Sequence, residues 1–361
     1  MKDSLVSIII PSYNTGQYIG RMLECAKSQT YNNIEIICIN DGSTDNTLSI
    51  MQQYAIEDKR FIIIDIPNKG VSNARNIGIE RCKGEKIFFW DSDDVVEPTT
   101  VEDCINYSNK YHVNAVLYNY AGYDNRIPHK SILHGRYLND DIRFKVMPLF
   151  LGHSFDDIHR WIDGKQSMRY GKENTALWRI MCDSKTIKDN QLKFNTELTL
   201  GEDTIFINNY FLYEQSIGYL DNCYYYLDQR ENGANLSSLK NANKRISDKT
   251  KLIFAREDID NTARKLYGLD THKYWEGTLI FSGIEMALKM SKNKRLSFYN
   301  NFNLYLQFMN IHSVKSAYSS FLCKYNYRSI PFKIASAHKK ILFIICYLIP
   351  ELVIKKVFKL Y

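Results

Sequence analysis

The chain has 361 residues, of which 45% are hydrophobic and 24% charged, a composition typical of a globular protein with a substantial core. Its net charge is +7, but residues 331–361 contain six lysines and one glutamate and so carry +5 of that charge. The remainder is nearly neutral, which argues against a nucleic-acid-binding surface on the main domain.

Eight cysteines are present without any C-x-x-C pair, as expected for reduced, buried thiols of a cytoplasmic protein. The N-terminus lacks the long apolar stretch of a secretory signal. No segment reaches the roughly 20 apolar residues that a membrane-spanning helix requires. We therefore expect a cytoplasmic protein that does not cross a membrane.

Short apolar runs rich in Ile, Val or Phe alternate with helix-like stretches in the first third of the chain. The predicted strands are Leu5–Ile10, Ile34–Ile39, Phe61–Ile64, Ile87–Trp90 and Asn114–Tyr118. The predicted helices are Gln17–Ser28, Thr47–Ala55 and Ser72–Glu80, with another after Pro98. This alternation predicts an α/β fold with a doubly wound, mostly parallel sheet, which binds ligands beyond the carboxyl ends of its strands.

The alternation stops after Tyr120, and residues 121–200 are polar, aromatic and irregular. A helix is predicted from about Asp203, short strands near 217–220 and 224–227, and amphipathic helices over about 241–318. The polar stretch 232–238 indicates a domain boundary. We therefore predict an α/β domain over 1–232, divided near residue 120. A helical region over 233–330 and a basic amphipathic tail over 331–361 follow.

The first two predicted strands end in polar residues that allow two interpretations. Tyr13, within Pro11–Asn14, could stack on a nucleobase, although the same residues form an ordinary turn. After the second strand, Gly42 permits a tight turn, and Ser43 or Asp45 could cap the next helix. Capping leaves Asp41 unexplained, and its carboxylate is placed to accept a hydrogen bond from a base N–H.

The segment Asn68–Gly78 follows the third strand. Its small residues favour a helix packed close to the sheet, with Arg75 in the first turns on the nucleotide side. Taken alone, the segment is more simply interpreted as an N-capped helix without a ligand. The glycines do not form G-x-G-x-x-G, so a dinucleotide site is not indicated.

Asp91, Asp93 and Asp94 follow the fourth strand within four residues. Such crowding raises the energy of the ionised carboxylates unless a cation relieves it. Carboxylate oxygens suit magnesium or manganese, which could bridge a diphosphate. A solvated acidic turn is the alternative.

Glu202 and Asp203 lie at the start of a predicted helix, where the helix dipole favours the ionised form of a carboxylate. An ionised carboxylate is what a general base for a hydroxyl group requires. On their own, these two acids are interpreted as a helix cap.

In their order and spacing, these motifs resemble glycosyltransferase family 2, the inverting enzymes of the GT-A nucleotide-diphospho-sugar transferase fold. The resemblance covers roughly residues 5–230. It rests on Pro11-x-Tyr13-Asn14, Asp41-Gly42-Ser43-x-Asp45, Asn68-x-Gly70 with Ala74-Arg75-Asn76-x-Gly78, Asp91-Ser92-Asp93-Asp94 and Gly201-Glu202-Asp203.

The resemblance implies a role for each of these residues. It places the nucleotide in the half over 1–120 and the acceptor in the half over 121–232. The implied nucleotide-binding residues are Pro11, Tyr13, Asn14, Asp41, Arg75, Asp91 and Arg230. Asp93 and Asp94 are the implied ligands of Mn²⁺ or Mg²⁺. Asp203 is the implied base, supported by Glu202, and Trp178 is a candidate for stacking on the acceptor sugar, with a core position as the alternative.

The activity implied by the resemblance is transfer of a sugar from a UDP-sugar to a glycan or lipid-linked hydroxyl acceptor in bacterial surface-polysaccharide or capsule synthesis. A sugar-nucleotide-forming nucleotidyltransferase would need a basic, glycine-rich loop after the first strand, but Pro11–Gly16 has one glycine and no Lys or Arg. A non-catalytic sugar-nucleotide or glycan-binding module would be expected to lose the carboxylates.

The last predicted feature is the apolar run Ile341–Ile349, which is flanked by lysines and too short to span a bilayer. Such a segment is suited to the headgroup region of an anionic membrane. We therefore expect peripheral association with the inner face of the cell membrane, the alternative being a buried helix packed on the catalytic domain.

Overall fold

A computed structural model of the chain describes residues 4–124, 126–165, 172–228, 242–294, 296–322 and 329–349. The chain divides into two compact units. The first unit comprises Met1–Phe150 and Glu173–Gly233, and the second comprises Leu151–Lys172 and Ala234–Tyr361. Within the described ranges, no helix combines the length and apolar character needed to cross a membrane.

The first unit contains a mixed sheet with helices packed against it. Its strands are β1 Val6–Ser12, β2 Ile34–Asp41, β3 Phe61–Ile66, β4 Lys86–Phe89, β5 Val95–Val96, β6 Ala115–Gly122, β7 Arg136–Leu138, β8 Ile180–Asp183 and β9 Ser216–Leu227. The helices that begin in this unit are α1 Ile19–Lys27, α2 Thr47–Glu57, α3 Val71–Arg81, α4 Thr100–Tyr111, α5 Met147–Leu151, α7 Ser184–Asp189 and α8 Glu202–Tyr213. A π-helical segment spans Ile142–Val146, and a 3-10 turn spans Leu177–Arg179.

The strands are arranged in the order β3-β2-β1-β4-β8-β6-β9-β5, with β7 also paired to β9. The pairs β1–β2, β1–β4, β2–β3 and β6–β9 are parallel, whereas β8 is antiparallel to both β4 and β6. Two antiparallel pairings in succession give β4 and β6 the same direction. The carboxyl ends of β1, β2, β3, β4, β6 and β9 therefore lie along one edge of the sheet.

Alternate side chains of the strands pack against helices on the two faces of the sheet. On one face, the fully buried residues Ile8, Cys38 and Phe88 join a cluster with side chains of α1 and α4. On the other face, α3 contacts β1 and β2. A Cβ on Gly78 would lie 2.5 Å from the Ile9 Cγ2 atom, so glycine is needed for α3 to pack this closely.

The second unit is helical in its described part. Its helices are α6 Phe155–Ile162, α9 Ala242–Tyr267, α10 Glu276–Ser291, α11 Phe298–Met309, α12 His312–Ser320, α13 Ile330–Ala337 and α14 Lys339–Leu348, with a 3-10 turn at His272–Tyr274. Helix α10 contacts each of the other six helices. The Trp275 indole is fully buried beside α10 and donates to both carboxylate oxygens of Asp260 at 3.0 and 3.1 Å.

The predicted elements of the first 120 residues are present, but the later ones differ. The two short strands predicted near 217–220 and 224–227 form one long strand, β9, which has an irregular register opposite β6. The short antiparallel strand β8 was not predicted. Residues 151–172 fall inside the predicted domain 1–232 but belong to the second unit. The described part of the predicted tail also belongs to the second unit.

Candidate active site

Arg75 brings three carboxylates together at the carboxyl edge of the sheet. Its Nη1 atom donates to Asp203 Oδ1 at 2.6 Å and lies 3.6 Å from Glu202 Oε1. Its Nη2 atom donates to Asp91 Oδ1 at 3.0 Å. The Arg75 side chain is only 4% exposed, so this cation is compensated almost entirely by protein groups.

The position of Arg75 follows from the packing of α3. The close contact at Gly78 holds the helix against β1, and Arg75 lies about one turn earlier. The guanidinium carbon lies 5.3 Å from the centre of the Phe194 ring. Asn76 fixes the backbone of Phe194, because the Asn76 side-chain amide donates to the Phe194 carbonyl and accepts from the Phe194 N–H. The arginine is therefore held by α3 and by the segment before α8.

Asp203 lies in the first turn of α8 and is the carboxylate closest to Arg75. Burial raises the pKa of Asp203 to about 7; the charges of Glu202 and Asp91 add to this shift, whereas Arg75 opposes it. A carboxyl group with a pKa near neutrality can accept a proton during a reaction and release it afterwards. This is the behaviour required of the predicted base.

The acidic turn, defined as Asp91–Asp94, lies between β4 and β5 and is tied to β9. The Asp91 N–H donates to the Tyr225 hydroxyl oxygen at 3.0 Å, and Asp94 Oδ1 accepts the Asp228 N–H at 2.8 Å. Asp94 is 4% exposed. Burial raises its pKa to about 8, and the neighbouring charges of Asp91 and Asp93 contribute. Asp94 is thus an internal carboxyl group that holds the turn against the end of β9.

Arg21, on α1, supplies positive charge beside the acidic turn. Its Nη2 atom donates to the Asp93 carbonyl oxygen at 2.5 Å and to Asp228 Oδ2 at 2.8 Å. Its guanidinium carbon lies 4.8 Å from the centre of the Tyr123 ring. The side chain is 32% exposed, so part of this charge remains accessible to solvent.

Asp41, the last residue of β2, holds the loop before α3. Its two carboxylate oxygens accept the N–H groups of Lys69 and Gly70, each at 2.8 Å, and its carbonyl accepts Asn68 Nδ2 at 2.9 Å. A Cβ on Gly42 would lie 2.6 Å from the Asn68 nitrogen, which explains the glycine after Asp41. Asp41 is 3% exposed, and each carboxylate oxygen retains a second lone pair for another donor.

The residues after β1 are arranged around the turn that follows β2. Tyr13 is 50% exposed at the same sheet edge. Asn14 adopts a positive φ of 52°, and its Oδ1 accepts the Thr44 N–H at 2.8 Å. The Asn14 N–H in turn donates to the Ser43 hydroxyl at 3.0 Å. Asn14 thus joins the two turns and leaves the Tyr13 ring accessible.

Comparison with known proteins agrees with this arrangement. Residues 7–161 match the model of Glycosyl transferase family 2. The chain is 40% identical over 123 residues to Glycosyltransferase GlyG of Streptococcus pneumoniae, an alignment that covers 34% of this chain and 41% of GlyG. It is 43% identical over 102 residues to a chondroitin synthase of Escherichia coli, which covers 28% of this chain and 15% of that enzyme. Residues 7–161 therefore match a family 2 glycosyltransferase domain.

The fold of the family 2 domain also has a solved counterpart. The structure of S. aureus TarS 1–349 in complex with UDP-GlcNAc superposes with a TM-score of 0.54 at 20% identity, covering 95% of this chain and 81% of TarS 1–349. The chain therefore has the predicted GT-A α/β fold, with a mostly parallel sheet and a C-terminal helical region. The chain spans less than half of the length of GlyG and of the chondroitin synthase.

Two of the predicted site residues, Trp178 and Asp94, are buried in the structure. Trp178 is 4% exposed, and its ring stacks on Tyr225 with centroids 4.6 Å apart. This is the position of a core tryptophan, the alternative given in the sequence analysis, and it leaves little of the ring accessible to an acceptor sugar. Asp94, predicted as a metal ligand, is buried and hydrogen-bonded within the protein, which leaves Asp93 as the better candidate ligand. Arg230 lies outside the described residues.

The metal prediction rests on few protein ligands. Among the described residues, no group of three or more His, Cys, Asp or Glu side chains has a geometry that could hold a metal ion. Asp93 is partly accessible, and the Asp91 side chain is 34% exposed. One or two carboxylates are sufficient where the phosphate groups of a substrate complete the coordination of a magnesium-like ion. The donor set therefore fits a cation that is shared with a diphosphate.

Sequence reasoning missed three residues that organise the site: Arg21, Tyr225 and Asp228. Arg21 lies in an ordinary amphipathic helix pattern, so nothing in the sequence distinguishes it from a surface residue. Tyr225 and Asp228 lie in the run Tyr224–Asp228, whose three consecutive tyrosines were a usable signal. Such a run at the end of a strand places tyrosine hydroxyl groups beside the polar groups at that edge of the sheet.

Proposed function

We propose that the chain is an inverting glycosyltransferase that moves a sugar from a UDP-sugar to a hydroxyl group of an acceptor. The observation that carries this proposal is the meeting of Asp91, Glu202 and Asp203 on the buried Arg75. This contact joins the turn predicted to bind the diphosphate to the predicted base. Donor and acceptor groups would therefore meet at one place, as direct displacement requires.

In the proposed reaction, the acceptor oxygen attacks the anomeric carbon on the face opposite the diphosphate. Asp203 takes the proton from the acceptor hydroxyl as the new carbon–oxygen bond forms. The bond between the anomeric carbon and the diphosphate breaks, and the diphosphate leaves with the electron pair. A single displacement inverts the anomeric configuration without a covalent intermediate on the enzyme.

The proposed donor is held by the residues at the ends of β1, β2 and β4. The uracil would stack on the exposed ring of Tyr13, with Asp41 accepting its N–H. Asp91 would contact the ribose or the diphosphate. Mn²⁺ or Mg²⁺, held by Asp93 and the diphosphate, would neutralise the charge that develops on the leaving group. The binding of UDP-GlcNAc by TarS, which shares the fold, supports this choice of donor class.

The proposed acceptor is a glycan or lipid-linked oligosaccharide used in surface-polysaccharide synthesis. The similarity of one segment to a chondroitin synthase supports a polysaccharide-type acceptor. The competing nucleotidyltransferase hypothesis remains disfavoured, because the segment after β1 contains no basic residue.

A sugar-nucleotide screen tests the proposed function. The full chain is incubated with UDP-, GDP- and dTDP-sugars, with and without Mn²⁺, and release of nucleoside diphosphate is measured with and without candidate acceptors. We expect metal-dependent release of UDP from one donor, and faster release when an acceptor is present. Pyrophosphate production from UTP and a sugar 1-phosphate would instead establish a nucleotidyltransferase.

We also propose that the second unit docks on the surface of an anionic membrane. Helix α14 buries Leu342, Phe343 and Cys346, whereas four of its apolar side chains are 42–72% exposed, namely Ile341, Ile344, Tyr347 and Leu348. The rings of Phe298 and Tyr347 lie 4.8 Å apart, and Phe298 is 44% exposed, so the exposed apolar surface continues onto α11. Lysines at the start of α14 add positive charge beside this surface.

Point variants test the docking better than truncation does, because α14 contributes buried side chains to its unit. Ile344→Glu combined with Leu348→Glu places negative charge on the exposed face only. We expect this variant to lose co-sedimentation with vesicles containing phosphatidylglycerol at low salt. Ile56→Glu, at a 76% exposed position in the first unit, serves as the matched control. Equal binding of all three proteins would exclude this face as the docking surface.

A further inference from the structure

Tyr225 lies beside the acidic turn and is bonded to its first residue. The side chain is fully buried, and its hydroxyl oxygen accepts the Asp91 N–H at 3.0 Å. At the other end of the turn, Asp94 Oδ1 accepts the N–H of Asp228, three residues after Tyr225, at 2.8 Å. The end of β9 and the residue that follows it therefore bond to the first and the last residue of the turn, and the phenol group holds the first.

The tyrosine is itself held on both sides. Its ring stacks on Trp178 with an interplanar angle of 10°, and Trp178 meets the Tyr120 ring edge-on at 4.8 Å. Its backbone pairs with Val96 of β5, the strand that begins directly after the turn. Neither the ring nor the main chain of Tyr225 can move without disturbing β5 and the Trp178 stack.

We propose that Tyr225, supported by Trp178, is a positioning residue that sets the geometry of the acidic turn for the diphosphate and its cation. The identity of the ligands, a diphosphate and a cation, rests on the proposed function. The claim that Tyr225 holds the acidic turn does not. Between Asp91 and Asp94 lies Asp93, the predicted metal ligand, so the turn that carries it is held at its first residue by the Tyr225 hydroxyl and at its last by the Asp228 N–H. In this role, Tyr225 acts through the turn and does not touch the substrate.

The chain offers a closely matched control in Tyr210. Its ring is also fully buried in the first unit, and its hydroxyl accepts the Asp183 N–H at 2.7 Å and donates to Glu214 Oε2 at 2.6 Å. Tyr225→Phe and Tyr210→Phe therefore remove the same atom, and each removes a hydrogen bond from a backbone N–H to a buried hydroxyl. Only the bond lost in Tyr225→Phe leads to the acidic turn.

The first measurement needs no ligand. Hydrogen–deuterium exchange of peptides covering residues 89–94 should accelerate about tenfold in Tyr225→Phe, as expected when one hydrogen bond is lost. Tyr210→Phe should leave these peptides unchanged even if it lowers the melting temperature equally. Unchanged exchange in Tyr225→Phe would overturn the proposal, whatever the protein binds.

The second measurement uses Mn²⁺ and UDP as probes. In Tyr225→Phe we expect the Mn²⁺ concentration for half-maximal UDP binding to rise about 10–100-fold, the usual effect of losing a group that orients a metal ligand. Tyr210→Phe should keep the wild-type value. Faster exchange in the turn with an unchanged Mn²⁺ requirement would refute the positioning role. If the wild-type protein binds no UDP at any Mn²⁺ concentration, the proposed function fails and the exchange result alone decides the geometric claim.

A Trp178 pair tests the support beneath the tyrosine and guards against misfolding of Tyr225→Phe. Trp178→Phe keeps an aromatic face against Tyr225, whereas Trp178→Leu removes it. We expect the Leu variant to reproduce the raised Mn²⁺ requirement and the Phe variant to restore most of the wild-type behaviour. Equal behaviour of the two variants would show that the stack does not position Tyr225.

Discussion

The two acidic groups at the carboxyl edge of the sheet are balanced in different ways. Glu202 and Asp203 share a buried, permanently charged partner in Arg75, at 3.6 and 2.6 Å. Asp94, in the other group, accepts an N–H from Asp228, which is a neutral donor. Asp91 belongs to both groups, since it bonds to Arg75 through its side chain and to Tyr225 through its backbone.

The difference indicates a division of labour. Where the protein supplies its own cation, the carboxylates are kept in place without a ligand, which suits a group that must be ready to accept a proton. Asp94 is held by a neutral donor, and its crowding with Asp91 and Asp93 retains an unfavourable energy that an added cation would relieve. We therefore expect the acidic turn to respond to metal and the Arg75 group to respond to pH.

The largest effect should come from removing the cation at the acidic turn. Asp93→Asn, or a chelator added to the wild-type enzyme, should lower turnover by about a thousandfold or more, because charge stabilisation by a metal contributes several kcal/mol. Sugar transfer measured with excess donor tests this. Asp140→Asn, at an exposed position, is the control. Full activity of the wild-type enzyme in chelator would remove the metal from the mechanism.

The next effect concerns the group that carries its own cation. Asp203→Asn should lower kcat/KM by about 10²–10⁴-fold, the usual contribution of a general base, and leave the UDP dissociation constant close to that of the wild type. Calorimetry with UDP and Mn²⁺ separates the two quantities. Glu202→Gln should lower kcat/KM by a smaller factor, because Glu202 lies farther from Arg75. A large loss of UDP affinity in Asp203→Asn would place this carboxylate on the donor instead.

The pH dependence of kcat/KM tests the same carboxylate, Asp203, with a smaller expected effect. Because the pKa of Asp203 is raised to about 7, the ionised, basic form is lost as the pH falls through that value. We expect kcat/KM to fall about tenfold per pH unit below pH 7, whereas UDP binding should not follow this limb. The stability effect has the opposite sign, since a raised carboxyl pKa favours folding at low pH and this contribution is lost as the pH rises through 7. A flat rate between pH 6 and 8 would contradict the assignment.

The parts of this site that the sequence predicts are those tied to strand ends. Alternating apolar runs define β1, β2 and β4, so Tyr13, Asp41 and Asp91 could be placed at one edge without coordinates. The meeting of Arg75 with Asp203 spans 128 positions along the chain. It depends on how α3 and α8 pack, and no local pattern carries that information.

The features of the structure that the sequence did not predict have an equally specific cause. Trp178 lies in an irregular, aromatic segment. Its apolar residues follow neither a helical nor a strand period, so the sequence does not show which side chains are buried. Strand β8, just after it, is four residues long and enters the sheet antiparallel between β4 and β6. Such an insertion leaves no alternation in the sequence. The assignment of residues 151–172 to the second unit also depends on long-range packing.

The smallest expected effect concerns Asp41, whose carboxylate has two possible roles. It accepts the N–H groups of Lys69 and Gly70, so it holds the loop before α3 whether or not a nucleotide binds. The predicted additional role is to accept the N–H of uracil. Asp41→Ala should weaken UDP binding about tenfold, close to the contribution of one hydrogen bond to a charged group.

A nucleotide analogue separates these two roles. If Asp41 accepts the uracil N–H, the wild type should bind UDP more tightly than N3-methyl-UDP, and Asp41→Ala should remove most of that preference. If Asp41 only shapes the loop, the variant should weaken both nucleotides equally. Asn68→Ala is the matched control, because it removes the bond from Asn68 Nδ2 to the Asp41 carbonyl and leaves the carboxylate in place. It should keep the preference for UDP, since the loop is loosened but the acceptor for the base remains.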